Sequence, residues 1–281
     1  MQICHSIADT QLARDTLTGS VALVPTMGNL HTGHLSLVEE AKKSADHVMV
    51  SIFVNPMQFG PNEDLNSYPR TLAEDETKLR ELGADILFVP TVDVIYPDGV
   101  ENHTQVIVPN LTDSYCGANR PGHFTGVASI VLKLLTICLP DIAIFGKKDF
   151  QQLAVIRKLA ADMALRTNIL GLDTSRNEQG LALSSRNQYL SETELKLATQ
   201  LYKNLVATKQ AILSGETDYQ LLCTDAISRL NDCGFKMEYF SVADRNTLLL
   251  ADSSTTDLVI LAAGKLGKTR LIDNIDFELS A

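Results

Sequence analysis

The chain has 281 residues, 45% hydrophobic and 21% charged, with a formal net charge of −10 at pH 7. That acidic balance argues against a nucleic-acid-binding surface, which needs a basic stripe, but leaves room for a small anionic ligand held by a few local cations. No apolar run approaches the ~18 residues of a membrane span, and MQICHSIADT at the amino end lacks a signal-peptide core, so a soluble, cytoplasmic protein without membrane or nucleic-acid partners is expected.

In chain order, the first strong signal is the apolar run Val21–Val24, followed by PTMGNLHTGHL and then LSLVEEAKKSA. The run reads as a buried strand, the Gly-containing stretch as a turn, and the rest as a helix. Such a turn is expected to leave backbone N–H groups free at the positive end of a helix dipole, where an anion such as a nucleotide phosphate can sit. His31 and His34, three apart around Gly33, add two ring nitrogens to that spot. A zinc site would need a third and fourth ligand, and none stands at suitable spacing.

HVMVSIFV (47–54) reads as the next strand, and after it comes a long polar, Pro-rich stretch from Val54 to Thr71. At its start Asn55 and Gln58 offer neutral donors and acceptors suited to hydroxyls and a carboxylate. TLAEDETKLRELG carries a helical period, with Glu74 and Asp75 in its first turns, and DILFVP (85–90) reads as a strand. In RPGHFTGV, ahead of the helical TGVASIVLKLLTICL, Arg120 and His123 can bind an anion or simply order the loop.

A further strand, DIAIFG (141–146), runs through Gly146 into FGKKDFQQL and a helix. Lys148 would compensate charge on a transferring phosphoryl group there, although Asp149 and Gln152 also have N-cap and N3 spacing and can merely cap the helix. TNILGL (167–172) is the last strand of this series. LALSSRN (181–187) then offers hydroxyls, an Arg and backbone N–H groups as a clamp for a triphosphate, or an ordinary loop.

Short β-branched runs alternating with helical stretches imply a parallel sheet with helices on both faces. At ~150 residues per domain the length suggests about two domains. After about residue 175 the pattern becomes two helices, the first opened by a Ser191/Glu194 capping box, and three strands: MEYFSVAD, TDLVILAAG and TRLIDNIDF. The expectation is an α/β, doubly wound domain over 1–176 and a smaller α+β domain over 177–281. Cys4, Cys116, Cys138, Cys223 and Cys233 are odd in number and lack C-x-x-C spacing, so five free thiols are expected.

Together, PTMGNLHTGHL, VNPMQFGPNEDLNSYPRT, RPGHFTGV, FGKKDFQQL and LALSSRN stand in the order and approximate spacing of the pantothenate synthetase (pantoate–β-alanine ligase) family, of the HIGH-type nucleotidylyltransferase superfamily. The chain resembles that family over most of its length. The resemblance implies a Rossmann-like fold, a carboxyl-terminal domain acting as a lid, a homodimer, and an ATP-dependent ligation of pantoate to β-alanine through pantoyl adenylate, with release of pyrophosphate and AMP. It implies catalytic roles for His34, as acid, His31 and Lys148. ATP would be bound by Pro25, Thr26, Met27, Gly28, Asn29, Leu30, His31, Thr32, Gly33 and His34, by Gly146, Lys147, Lys148 and Asp149, and by Ser175, Leu183, Ser184, Ser185 and Arg186. Gln58 and Gln152 would hold pantoate, with Asn55 nearby. Mg²⁺ is expected mainly on the ATP phosphates, with Asp75, and less so Glu74, as an acid near the metal. The chain departs from the usual pattern at Lys147, commonly acidic, at Phe150, commonly Tyr, and at Ser175, usually apolar.

A plain nucleotidylyltransferase shares the HxGH signature but needs cations for a second phosphate, where Asn55, Gln58 and Gln152 are neutral. A nucleotide-binding protein without catalysis fits poorly with an intact His31, His34 and Lys148.

Overall fold

The computed structural model describes residues 1–61 and 63–279 and divides into two compact units. The first comprises Met1–Lys147 and Gln152–Asp173; the second comprises Lys148–Gln151 and the chain from Thr174 onward.

The first unit opens with β1 (Gln2–Cys4), α1 (Ile7–Asp15), β2 (Val21–Thr26), α2 (Thr32–Ser44) and β3 (His47–Ile52). It continues through α3 (Leu72–Glu81), β4 (Ile86–Phe88), the short α4 (Val92–Ile95) and α5 (Cys116–Asn119), then α6 (His123–Cys138), β5 (Ile142–Gly146), α7 (Phe150–Asp162) and β6 (Asn168–Leu172). Its six strands are all parallel, in the order β1-β4-β3-β2-β5-β6. Leaving out the edge strand β1, this is the doubly wound order in which β2 starts both halves. The strand order reverses between β2 and β5.

The interior position of β2 explains its sequence. Val21, Ala22, Leu23 and Val24 are all fully buried, because a parallel strand covered on both faces cannot alternate with polar residues. Burying a Val or Leu side chain this completely contributes about 1.5–3 kcal/mol. Carboxylates fix the amino ends of these strands: Val21 N donates to Asp141 at 2.8 Å and Val48 N to Asp85 at 2.8 Å.

β2 pairs with β3 over six residues, Val21–Thr26 with His47–Ile52, but with β5 only at Ala22–Ile142 and Leu23–Ala143. Pairing of β2 with β5 therefore stops short of their carboxyl ends, at the switch point where ligands of such sheets bind. The segments that follow β2 and β5 are the two that the sequence singles out, Pro25–Leu35 and Gly146–Leu153.

β1 and α1 are additions to the sequence reading. A three-residue strand gives no periodicity to read, and β1 is held by pairing with β4. α1 does carry a local signal, Ser6, whose side chain accepts from Asp9 N.

In the second unit, α8 (Glu192–Leu213) and α9 (Tyr219–Asp232) accompany an antiparallel sheet of β7 (Phe235–Asp244), β8 (Asp257–Leu266) and β9 (Thr269–Glu278), in that order. The Ser191/Glu194 capping box opens α8 as expected. Leu201, Leu205, Leu230, Leu258 and Ile260 form the middle of its core. All five cysteines are free thiols.

Candidate active site

The turn after β2 is built by hydrogen bonds to α3. Gly28 (φ 82°) and Asn29 (φ 51°) lie in the left-handed region. At Gly28 a Cβ would stand 3.1 Å from Ile52 and 3.3 Å from an Asp75 carboxylate oxygen, so glycine serves both the backbone angle and the close approach. Asn29 N donates to Asp75 Oδ2 and Leu30 N to Asp75 Oδ1, both at 2.8 Å, and Thr71 Oγ1 donates to Oδ2 at 3.2 Å. Lys78 Nζ donates to Leu30 O at 2.8 Å. This differs from the expectation of free N–H groups. Those of Asn29 and Leu30 are spent on a carboxylate, and Gly28 N donates to Thr26 Oγ1 at 3.2 Å.

His31 is the N-cap of α2, with Gly33 N donating to its Nδ1 at 3.2 Å. In return His31 N donates to His34 Nδ1 at 3.5 Å, closing a capping box made of two imidazoles. An Nδ1 that accepts carries no proton, so each ring holds its hydrogen on Nε2. The rings lie with centroids 4.1 Å apart and planes tilted by 31°. Both Nε2–H groups thus belong to rings at the positive end of α2, the polarity that favours an anion.

Asn55 and Gln58 stand on the 3-10 turn after β3, Pro56–Gln58. Asn55 is 1% exposed and committed to protein. Its Oδ1 accepts from Met57 N at 3.2 Å and from the Tyr96 hydroxyl at 2.6 Å, and its Nδ2 donates to Gly126 O at 3.1 Å and Gln58 Oε1 at 3.3 Å. The sequence offers this amide to substrate; the structure spends it on holding the turn. Burial pushes the Tyr96 hydroxyl up to about 12, so it remains a donor. Gln58 is half-buried, and its Nε2 lies 3.1 Å from Met27 Sδ, which joins the two motifs.

Gly126 of α6 makes this arrangement possible, since a Cβ there would fall 2.4 Å from Met57 O and 2.7 Å from Gln58 N. Arg120 and His123 brace the same turn. His123 Nδ1 lies 2.8 Å and Arg120 Nη2 3.3 Å from Gln58 O, and Arg120 is paired through Nε and Nη2 with Glu63, both at 2.6 Å. Arg120 Nη1 lies 2.9 Å from His123 Nε2, which makes Nε2 the acceptor and Nδ1 the donor to Gln58 O. Of the two roles open to Arg120 and His123, these bonds supply the ordering one.

Beyond β5, Gly146 and Lys147 also belong to the first unit, with Lys147 Nζ 2.7 Å from Asp173. Gln152, on α7, is half-buried, and its side chain makes no hydrogen bond among the described residues. Lys148 and Asp149 are grouped with the second unit. There Asn274 Nδ2 donates to Lys148 O at 2.8 Å, and Lys148 Nζ lies 3.7 Å from Asp149. Leu183 N donates to Ser175 O at 2.9 Å, and Ser184 caps the turn Ser185–Tyr189 by accepting from Arg186 N at 3.3 Å. Arg176 supports this strand-like stretch through a bidentate pair with the buried Asp273, at 2.6 and 2.8 Å.

As for metal, Asp75, expected near Mg²⁺, is fully buried with both oxygens bonded to the turn. Among the described residues no three His, Cys, Asp or Glu gather as a metal site. The donor set does not fit a protein-held cation.

Tyr96, Gly126, Lys78 and Asn274 carry structural weight at these motifs that the sequence does not announce. Their partners lie 41, 71, 48 and 126 positions away, beyond any local pattern.

The pantoate-beta-alanine ligase family model matches residues 2–276. The pantothenate synthetase of Shewanella loihica is 54% identical over 259 residues, 92% of each chain. That of Alcanivorax borkumensis is 51% identical over 285 aligned positions, 99% of each chain. Among solved structures, the pantothenate synthetase from Thermus thermophilus superposes with a TM-score of 0.89 at 39% identity, covering 98% of this chain and 99% of its own. A Francisella tularensis pantoate-beta-alanine ligase, complexed with beta-gamma ATP and beta-alanine, gives 0.83 at 36% identity, covering 98% and 97%.

Proposed function

The chain belongs to the pantoate-beta-alanine ligase family and joins pantoate to β-alanine, and from that premise we propose that it does so by way of a pantoyl adenylate formed at the carboxyl ends of β2 and β5. A carboxylate is a poor acyl donor because its leaving group would be oxide. In the first step a pantoate carboxylate oxygen attacks the α-phosphorus of ATP, and the bond to the β-phosphate bridging oxygen breaks, releasing pyrophosphate. In the second, the amine of β-alanine attacks the acyl carbon, the C–O bond breaks, AMP leaves with that oxygen, and the amine loses a proton. Positioning and charge compensation do most of this work, so no side-chain nucleophile is needed.

His31 and His34 donate their Nε2–H groups to phosphate oxygens, with His34 as the acid. Lys148 compensates charge on the departing pyrophosphate. Pro25–Gly33, Gly146, Lys147, Asp149, Ser175 and Leu183–Arg186 complete the ATP contacts, and Gln58 and Gln152 hold pantoate. Asn55 contributes through Gln58, because its own amide is already bonded. Mg²⁺ bound with the nucleotide would supply further charge neutralisation on the phosphates. The chain works as a cytoplasmic homodimer whose carboxyl-terminal domain, from about residue 177, acts as a lid that shields the adenylate from water. The Francisella relative's nucleotide and β-alanine complex supports the substrate assignment.

The observation that carries the reading is the pair of imidazoles with both Nδ1 atoms occupied by backbone N–H groups, directly after the central strand. Pantoate labelled with ¹⁸O in its carboxylate tests it: one labelled oxygen should appear in AMP. Unlabelled AMP would exclude the acyl adenylate.

A further inference from the structure

We propose that Asp75, assisted by Lys78, is a positioning residue for the two active-site histidines, and that its role is to orient the peptide groups leading into His31 rather than to hold a metal. The proposal rests on the reading of His31 and His34 as nucleotide contacts.

Three consecutive peptide groups are held from one face of α3. Asp75 takes the N–H of Asn29 on one oxygen and that of Leu30 on the other, and Lys78, one turn further along, takes the carbonyl of Leu30. That last peptide is the decisive one. Its oxygen is bound by Lys78, while its N–H, belonging to His31, points at Nδ1 of His34. The plane of the Leu30–His31 peptide is thus fixed at one end by α3, and at the other end it sets the ring and tautomer of His34.

The carboxylate is not needed at this place for packing alone. Asp75 is 0% exposed, and a buried carboxylate is costly unless its oxygens are bonded. Here they are bonded to the turn that holds Gly28 and Asn29 in the left-handed region. An aliphatic residue would fill the space, but it would leave two backbone donors buried and free the turn. Among the described residues no three His, Cys, Asp or Glu gather as a metal site, so Asp75 lacks the company of a metal ligand.

The test is Asp75→Asn in the full chain, with Lys78→Met as its companion. The amide nitrogen of the substituted side chain would confront one of the two N–H donors, releasing that peptide. Adenylate formation, read as pantoate-dependent ATP–pyrophosphate exchange, should fall roughly 10- to 100-fold, the scale of a displacement of about 1 Å at a reacting centre. The loss should appear in kcat, with the KM for β-alanine unchanged. Lys78→Met should shift kcat in the same direction by less, and the Mg²⁺ concentration giving half-maximal rate should match the parent in both. Unchanged exchange in well-folded Asp75→Asn overturns the proposal, and so does recovery of its rate by added Mg²⁺, which would mark a metal ligand. If Asp75→Asn does not fold, Lys78→Met and Thr71→Val decide: parent kinetics in both overturn the proposal, and slowed exchange with parent melting supports it. Absence of exchange in the parent chain would instead count against the ligase reading.

Discussion

Replacing Gly126 by alanine probes how closely the pantoate-side turn depends on the backbone of α6. The added methyl would lie 2.4 Å from Met57 O, 2.5 Å from Met57 C and 2.7 Å from Gln58 N. Ordinary contact begins at 3.4 Å, so the turn or the helix must yield by 3.4 − 2.4 = 1.0 Å. The obstacle is backbone, not a side chain that can swing aside, and the Tyr96–Asn55–Gly126 bonds would be stretched in the process. Overpacking of this kind costs about 1–3 kcal/mol of stability. A 1 Å misplacement of Gln58 should also lower kcat/KM for pantoate about 100-fold. Steady-state kinetics with pantoate and ATP varied separately, alongside a thermal melt, measures both. The KM for pantoate should rise far more than that for ATP. Parent kinetics in a Gly126→Ala protein would refute the view that this contact sets the position of Gln58.

Other perturbations separate the remaining roles. His34→Ala should slow adenylate formation by roughly 10²–10⁴-fold, the span of a positioned acid, and a folded variant with near-parent exchange would remove His34 from the chemistry. Tyr96→Phe takes one of two donors from the buried Asn55 Oδ1; it should cost about 1–3 kcal/mol in denaturant unfolding and raise the pantoate KM. Equal kinetics would leave Tyr96 with packing alone. Burial works to raise the Glu63 carboxyl, but the bond to and charge of Arg120 outweigh it and hold the group below the ordinary 4.5. A depressed folded value means that the stabilisation is complete above about 4.5 and fades as pH falls through the lower, folded value. The stability gap between the parent and Glu63→Gln should therefore be constant at neutral pH and narrow below that point, and a gap independent of pH would show that the ion pair contributes little.

Much of the parallel sheet is legible because its central strands are buried on both faces and leave continuous apolar runs, as Val21–Val24 does. The capping box of Ser191 and Glu194 is legible because its partners are three residues apart. The His31/His34 motif stands out by composition, yet its geometry does not: that the imidazoles cap their own helix through Nδ1 follows from coordinates, not spacing. Asn55 shows the limit most plainly. Placed at a strand end, it reads as a substrate contact, but its four bonds go to Met57, Gln58, Tyr96 and Gly126, two of them from distant elements. Asp75 reads as an acid on a helix with Thr71 one turn before it, and its two backbone donors come from the turn 45 and 46 positions earlier. Long-range backbone acceptors and donors leave no periodic trace in a sequence.

Exchange of labelled pyrophosphate into ATP, measured with Mg²⁺ and with pantoate but no β-alanine, tests the two-step account most directly. Exchange that requires pantoate and proceeds without the amine is the predicted result. Exchange that appears only when β-alanine is present, or that ignores pantoate, would contradict an adenylate formed before the amine is joined.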